Sequence, residues 1–169
     1  NMKYGTMSYL FVDKQILMIK KIKRENDPNS GFYTLPGGKL KDFEKGLNPN
    51  GRLESAIRET EEETGLKLIE PKLKGVILFD NSERIFDNWK NSQDFLVYLF
   101  EAEKYSGKLK EESNEGIPVW IDEKLLEEIP KNEGDLKIYE WLKDPRYFMG
   151  TIYHKEKKLD KIKTFVDYF

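Results

Sequence analysis

The chain has 169 residues, enough for one domain (1–169) with its own core, and 38% hydrophobic and 13% aromatic residues argue against a disordered chain. Its 29 basic and 31 acidic residues leave a formal charge of −2, so no global field draws it to nucleic acid or lipid. With no cysteine, a disulfide framework, thiolate zinc and a cysteine nucleophile are all excluded. In chain order, Ser8 to Val12 and Ile16 to Lys21 are β-rich runs joined by Asp13-Lys14-Gln15, a predicted hairpin. Arg24 to Gly31 is polar and turn-rich, and Tyr33 to Leu35 leads into the loop Pro36-Gly37-Gly38-Lys39. A helix is predicted over about Gly51 to Thr64, with Gly65 as its C-terminal cap. Lys74 to Phe79 and Phe95 to Ala102 read as strands, and their long connection carries Phe86 and Trp89 as a candidate substrate loop. Ile117 to Ile121 is a short strand, Asp122 to Ile129 and Asp135 to Lys143 read as helices, and Met149 to Tyr153 with Lys163 to Tyr168 suggest a terminal hairpin. Together these predict an α/β fold, a mixed sheet with helices on its faces. No signal pattern and no apolar run of about eighteen residues is present, so a cytoplasmic protein without a membrane partner is expected.

The segment richest in chemistry is Arg58-Glu59-Thr60-Glu61-Glu62-Glu63-Thr64-Gly65-Leu66. On a helix, Glu59, Glu62 and Glu63 stand at i, i+3 and i+4, so three carboxylates share one face within a turn. Like charges at that spacing each destabilise an isolated helix by roughly 0.2–0.5 kcal/mol. A hard divalent cation, Mg²⁺ or Mn²⁺, would convert that repulsion into binding; a solvated acidic face is the plain alternative. Leu53, Ala56, Ile57 and Thr60 recur at helical spacing and are the expected buried face.

The glycine loop followed by this helix resembles the box of the Nudix hydrolases, G-x5-E-x7-R-E-U-x-E-E-x-G-U. Arg58, Glu59, Thr60 (a weak match to the apolar U), Glu62, Glu63, Gly65 and Leu66 match its second half, and Gly38 and Glu44 keep the x5 spacing of its first. Glu44 lies fourteen residues before Arg58, where the pattern has eight, so about six residues around 45–50 are read as an inserted loop. Asn48 or Asn50 would cap the helix behind it. The resemblance implies a Nudix-type α/β/α sandwich in which Glu59, Glu62 and Glu63, the Gly38 carbonyl and Glu115 hold the metal. Catalysis would then fall to Glu59, Glu62 and Arg58. Glu59 and Glu62 are both open as the general base, while Arg58 orients the glutamates or forms a surface ion pair.

Further segments, among them Asn114-Glu115-Gly116, Glu133-Gly134-Asp135 and Glu140-Trp141-Leu142, look like the MutT-type branch that hydrolyses oxidised purine nucleoside triphosphates such as 8-oxo-dGTP. That likeness implies Lys21 and Lys39 beside the phosphates and Thr34, Phe79, Phe95 and Asp135 around the base. Read without it, the lysines are surface residues, Phe79 and Phe95 core residues and Asp135 a helix N-cap. Asn132 stands where relatives often carry a stacking tryptophan, and Gly134 replaces a second acid. The expected activity is Mg²⁺-dependent cleavage of a nucleoside triphosphate to monophosphate and pyrophosphate, by a monomer or homodimer without a stable nucleic-acid partner. The rivals are another Nudix substrate (ADP-ribose, a nucleotide sugar, a dinucleoside polyphosphate or capped RNA) and a non-catalytic ligand-sensing module. His154, the only histidine, is read as structural.

Overall fold

A computed structural model describes residues 2–22, 25, 30–41, 51–81, 94–154 and 162–169. The expected inserted loop with Glu44 and its capping asparagines, and the Phe86 and Trp89 loop, lie outside the described residues. The elements are β1 (Lys3–Val12), β2 (Gln15–Lys21), β3 (Tyr33–Thr34), β4 (Gly37–Lys39), α1 (Gly51–Thr64), β5 (Leu66–Ile69), β6 (Lys72–Asp80), β7 (Phe95–Ala102), β8 (Lys104–Gly107), β9 (Gly116–Asp122), α2 (Asp135–Lys143), β10 (Phe148–His154) and β11 (Ile162–Tyr168). The main sheet runs β11-β10-β6-β7-β1-β2-β3, with β4 also on β1 and β9 on β2; β5 and β8 form a separate ribbon. The sheet is mixed, because β1 is parallel to β7 and β10 to β6 while the other pairings are antiparallel.

Alternation along β1 decides what lies on each face. Met7, Tyr9 and Phe11 point into one core, which contains Ile138, Tyr139, Trp141 and Leu142 of α2. Leu10 points the other way, into a smaller core with Leu17, Leu66 and Leu68 that Ile57 of α1 covers. The two helices thus pack on opposite faces of the sheet, an α/β/α sandwich as expected. The β1–β2 hairpin turns on Asp13 and Lys14, at φ 51° and 65°. Two successive left-handed residues match a type I′ turn, whose twist suits a two-residue hairpin.

Two expectations need correction. The helix expected over Asp122 to Ile129 is only a 3-10 turn at Glu123–Leu125, capped by the Asp122 carboxylate accepting from the Lys124 N–H. Pro130 follows closely, and a proline disfavours helical backbone in the residue before it. The buried face of α1 also differs: Leu53 and Ile57 are half-buried, while Ser55, Ala56, Thr60, Glu63 and Thr64 are buried. Small side chains let the helix approach β1 closely enough for the Thr60 and Ser8 hydroxyls to hydrogen-bond at 2.9 Å.

Candidate active site

α1 is held at both its side and its end. Beyond the Thr60–Ser8 bond, its C-terminus closes on Gly65, at φ +81°, whose N–H donates to the Glu61 carbonyl at 2.8 Å. The Lys110 ammonium donates to the Glu62 carbonyl at 2.7 Å and the Lys110 N–H to the Thr64 carbonyl at 2.9 Å, so two of the last orphan carbonyls find partners. A helix tied at these points presents its acidic face to β4.

The result is a cleft of about 570 Å³ lined by Gly37, Gly38, Lys39, Glu59, Glu62, Glu63, Ser113, Asn114 and Glu115. All four expected glutamates line it, three from α1 and one from the turn before β9, together with Gly38. Glu115 is carried in by a tight turn in which the Ser113 N–H donates to the Gly116 carbonyl at 2.8 Å. Its carboxylate meets the Lys21 ammonium at 3.4 Å, on the strand paired with β9. A larger hollow of about 800 Å³ lies outside α1, between Ile57, Glu61, Lys67 and Lys110, and the chemistry does not follow size.

The three glutamates of α1 differ in environment. Glu63 is buried, at 7% exposure, and burial first of all raises its carboxyl from 4.5 to about 8; Lys21 and the Gly37 N–H oppose the rise, while Glu59 and Glu115 add to it. Glu59 is half-buried and lies 3.3 Å from the Arg58 guanidinium, which also sits 3.8 Å from the exposed Glu62 carboxylate. Arg58 therefore spans two glutamates. Among the described residues no three acidic side chains already meet as a metal cluster. The donor set still fits a hard divalent cation: one desolvated carboxyl, neighbouring carboxylates and a main-chain loop, all oxygen.

The ladder between β1 and β4 corrects one ligand expectation. The Ser8 N–H donates to the Pro36 carbonyl and the Leu40 N–H to the Tyr4 carbonyl, both at 2.9 Å. Antiparallel pairs alternate, so Thr6 and Gly38 between them form a hydrogen-bonded pair and the Gly38 carbonyl turns toward β1. That oxygen lies 3.0 Å from where a Cβ on Gly5 would stand. Gly37 falls in the alternate pair, and its N–H reaches Glu63. The Gly38 carbonyl is thus committed to the β1 ladder, and the main-chain group that meets a glutamate is the Gly37 N–H. The period-two alternation after the proline carried this signal, but only the strand pairing sets its phase.

Gly38 contributes space instead. A Cβ there would stand 2.7 Å from Cδ and 2.8 Å from Oε2 of Glu59. Those atoms end a flexible side chain, so Gly38→Ala is expected to leave the melting temperature within a few degrees while displacing the Glu59 carboxylate. The expected outcome is a loss of at least about tenfold in kcat/KM, on the scale of misplaced metal-site neighbours. Steady-state kinetics beside a thermal melt checks it, and unchanged kinetics would refute the role of this close contact.

The remaining expected residues divide between two places. Lys39 lines the cleft, and its ammonium lies 6.0 Å from the centre of the Phe95 ring. Phe95 and Phe79 are directly opposite on β7 and β6, so Lys39 joins the cleft to an aromatic pair. Phe79 packs against the α2-side core. Thr34, on β3, and Asp135 do not line the carboxylate cleft, although a 2.9 Å bond from the Tyr33 N–H to the Pro130 carbonyl joins β3 to the segment leading into α2. Asp135 is 7% exposed and burial raises its carboxyl to about 7; the Asn132 N–H, at 3.3 Å, opposes the rise. It is not the N-cap, a position held by Gly134 without a side-chain bond. His154 ends β10. Ser113 and Asn114 also line the cleft, a placement the sequence reading does not make, because a polar run before a strand carries no signal of its own.

A glycine turn and an acidic helix wall one cleft with oxygen donors suited to a divalent cation, and a family match makes the chain an enzyme of the class that acts on phosphoanhydride bonds. Residues 3–142 match the NUDIX domain, and the chain belongs to that family of hydrolases, which generally use divalent cations and bind nucleotide substrates. An uncharacterised Nudix hydrolase of Bacillus subtilis, YvcI, is 31% identical over 139 residues, spanning 81% of this chain and 77% of that one. The crystal structure of a mutator MutT protein from Bacillus halodurans superposes with a TM-score of 0.75 and 26% identity, covering 98% of this chain and 97% of that one. The NUDIX domain of Shewanella oneidensis NrtR, solved with ADP ribose, shares the fold at a TM-score of 0.63 and 13% identity, over 83% of this chain and 86% of that one. Among the described residues no helix is long and apolar enough to cross a membrane.

Proposed function

We propose that the whole chain forms one Mg²⁺-dependent Nudix pyrophosphohydrolase domain that cleaves a nucleoside triphosphate to the monophosphate and pyrophosphate, with an oxidised purine nucleotide of the 8-oxo-dGTP type preferred. The observation that carries the reading is the convergence of Glu59, Glu62, Glu63 and Glu115 on one cleft beside the Gly37 main chain. When bound there, a divalent ion neutralises phosphate oxygens and lowers the pKa of an attacking water. Glu63 and Glu115 supply anchoring carboxylates from two different elements. Glu59 or Glu62 orients the water and accepts its proton, while Arg58 holds both in position. Lys39, which lines the cleft, and Lys21, which pairs with Glu115 beside it, receive the phosphates.

Support for a purine base comes from the Phe79–Phe95 pair reached by Lys39 and from Asp135, whose carboxyl burial raises well above the ordinary carboxylate range. Stacking on such rings contributes about 1–3 kcal/mol per base. The likeness to a MutT protein along nearly the full chain supports the same preference, and a nucleotide pool in the cytoplasm is the setting it fits. The test is a panel of 8-oxo-dGTP, dGTP, ADP-ribose, a nucleotide sugar and a dinucleoside polyphosphate with Mg²⁺ and product identification. Monophosphate plus pyrophosphate, with kcat/KM highest for 8-oxo-dGTP and abolished in Glu62→Gln, is the expected result. Faster cleavage of ADP-ribose or a nucleotide sugar would replace the substrate; full activity of Glu62→Gln would remove the catalytic assignment.

A further inference from the structure

The last two strands lie beyond the segment matched to the NUDIX domain, which ends at residue 142. They also leave one side of the molecule open. β11 ends the strand order, and among the described residues nothing pairs with its outer edge. On the face opposite α2, the β10–β11 register brings together Tyr147, Met149, Phe165 and Phe169, which are 59%, 54%, 54% and 69% exposed. Four large apolar side chains on two adjacent strand ends form a patch of the kind that marks an interaction site.

The edge itself states what fits it. The Phe169 N–H donates to the Tyr147 carbonyl, so the odd-numbered residues of β11 direct their main-chain groups to β10. Thr164 and Val166 therefore direct theirs outward, free to extend the sheet. We propose that β11 is a homodimer interface, pairing antiparallel with β11 of a second copy about a two-fold axis at Phe165. In that register Lys163 lies opposite Asp167 of the partner subunit and Asp167 opposite Lys163 of the partner subunit. Thr164 and Val166 then exchange main-chain hydrogen bonds with Val166 of the partner subunit and Thr164 of the partner subunit. The strand is thus complementary to itself in charge, hydrogen bonding and apolar contact, as an isologous interface requires. No other register centred on a side chain of β11 pairs its one exposed lysine with its exposed aspartate.

Phe165 and its symmetry mate would form a non-hydrogen-bonded pair, with Cα atoms about 4.5 Å apart, within the range of roughly 4.4–6.8 Å that a disulfide spans. The absence of native cysteine makes the test direct. Sedimentation of the native chain over a concentration series is expected to show a dimer. Mild oxidation should cross-link Phe165→Cys efficiently and Thr164→Cys poorly. Lys163→Asp and Asp167→Lys should each raise the dissociation constant at least tenfold, and the two combined should restore it. Hydrolysis of the preferred nucleotide by each variant reports on folding independently of assembly. A native chain that is monomeric at every concentration, equal cross-linking at both positions, or charge reversals without effect would overturn the interface.

Discussion

Glu63→Gln is expected to lower kcat on the order of 10²–10³-fold, the scale lost when one charge-stabilising group is removed from an active site. The same change should stabilise the cation-free protein at alkaline pH. Inside the fold the Glu63 carboxyl ionises at about 8, against 4.5 for an unburied carboxyl. Between those values the folded chain binds more protons than the unfolded chain, so folding stability falls as pH rises through that window. Gln cannot ionise, and its variant lacks this slope. Denaturant melts at pH 5 and pH 9 in excess chelator should therefore show the two proteins nearly alike in acid. At pH 9 the variant should be more stable by a few kcal/mol at most, since about 1.4 kcal/mol corresponds to each pKa unit. Saturating Mg²⁺ should remove that difference by neutralising the carboxylate, raising the stability of the native protein most at high pH. A Glu63→Gln enzyme with native turnover would end the metal assignment; parallel pH slopes would show that Glu63 ionises freely.

Trp141→Ala should have the largest effect on stability away from the cleft. The indole is buried at 3% exposure, lies 5.6 Å from the Phe148 ring centre and covers Gly150 of β10. A Cβ on Gly150 would stand 2.3 Å from Cζ3 of the indole, so glycine leaves the space into which the ring fits. Truncating such a ring costs about 3–5 kcal/mol, through lost transfer energy and an unfilled cavity. For a domain of this size that corresponds to a fall of about 6–20 °C in melting temperature. Turnover number per folded molecule, measured well below the transition, should change little, because Trp141 packs on Phe148 and Gly150 of β10 and lines no part of the carboxylate cleft. A loss below about 1 kcal/mol would mean that the α2 interface closes over the gap.

Legibility from sequence followed the range of the interactions. The box helix and α2 were expected at Gly51–Thr64 and Asp135–Lys143, and β7 at Phe95–Ala102, the bounds they have in the fold. Each is set by local periodicity and nearby breakers. The short ribbon of β5 and β8 and the three-residue β4 were missed, because strands of three or four residues hold little pattern and form only where a partner waits. The 3-10 turn at Glu123 was overread because apolar spacing after an N-cap aspartate looks the same for one turn as for two. The glutamates of the site were legible from their spacing. Their inequality was not: burial of Glu63 comes from β4 lying against α1, and exposure of Glu62 from solvent on the far side.

By itself, the order of residues determined the family, the chemistry of the donors and the helix that carries them, since these rest on side-chain type and on spacings within a single helix. Tertiary structure alone decided that the Gly37 N–H meets Glu63 while the Gly38 carbonyl turns toward β1. It also decided that Arg58 spans two carboxylates, and that Lys21 pairs with Glu115, 94 residues away, beside the cleft. Strand phase and contacts between distant segments depend on how the sheet pairs, and pairing is a property of two strands together that neither strand encodes alone.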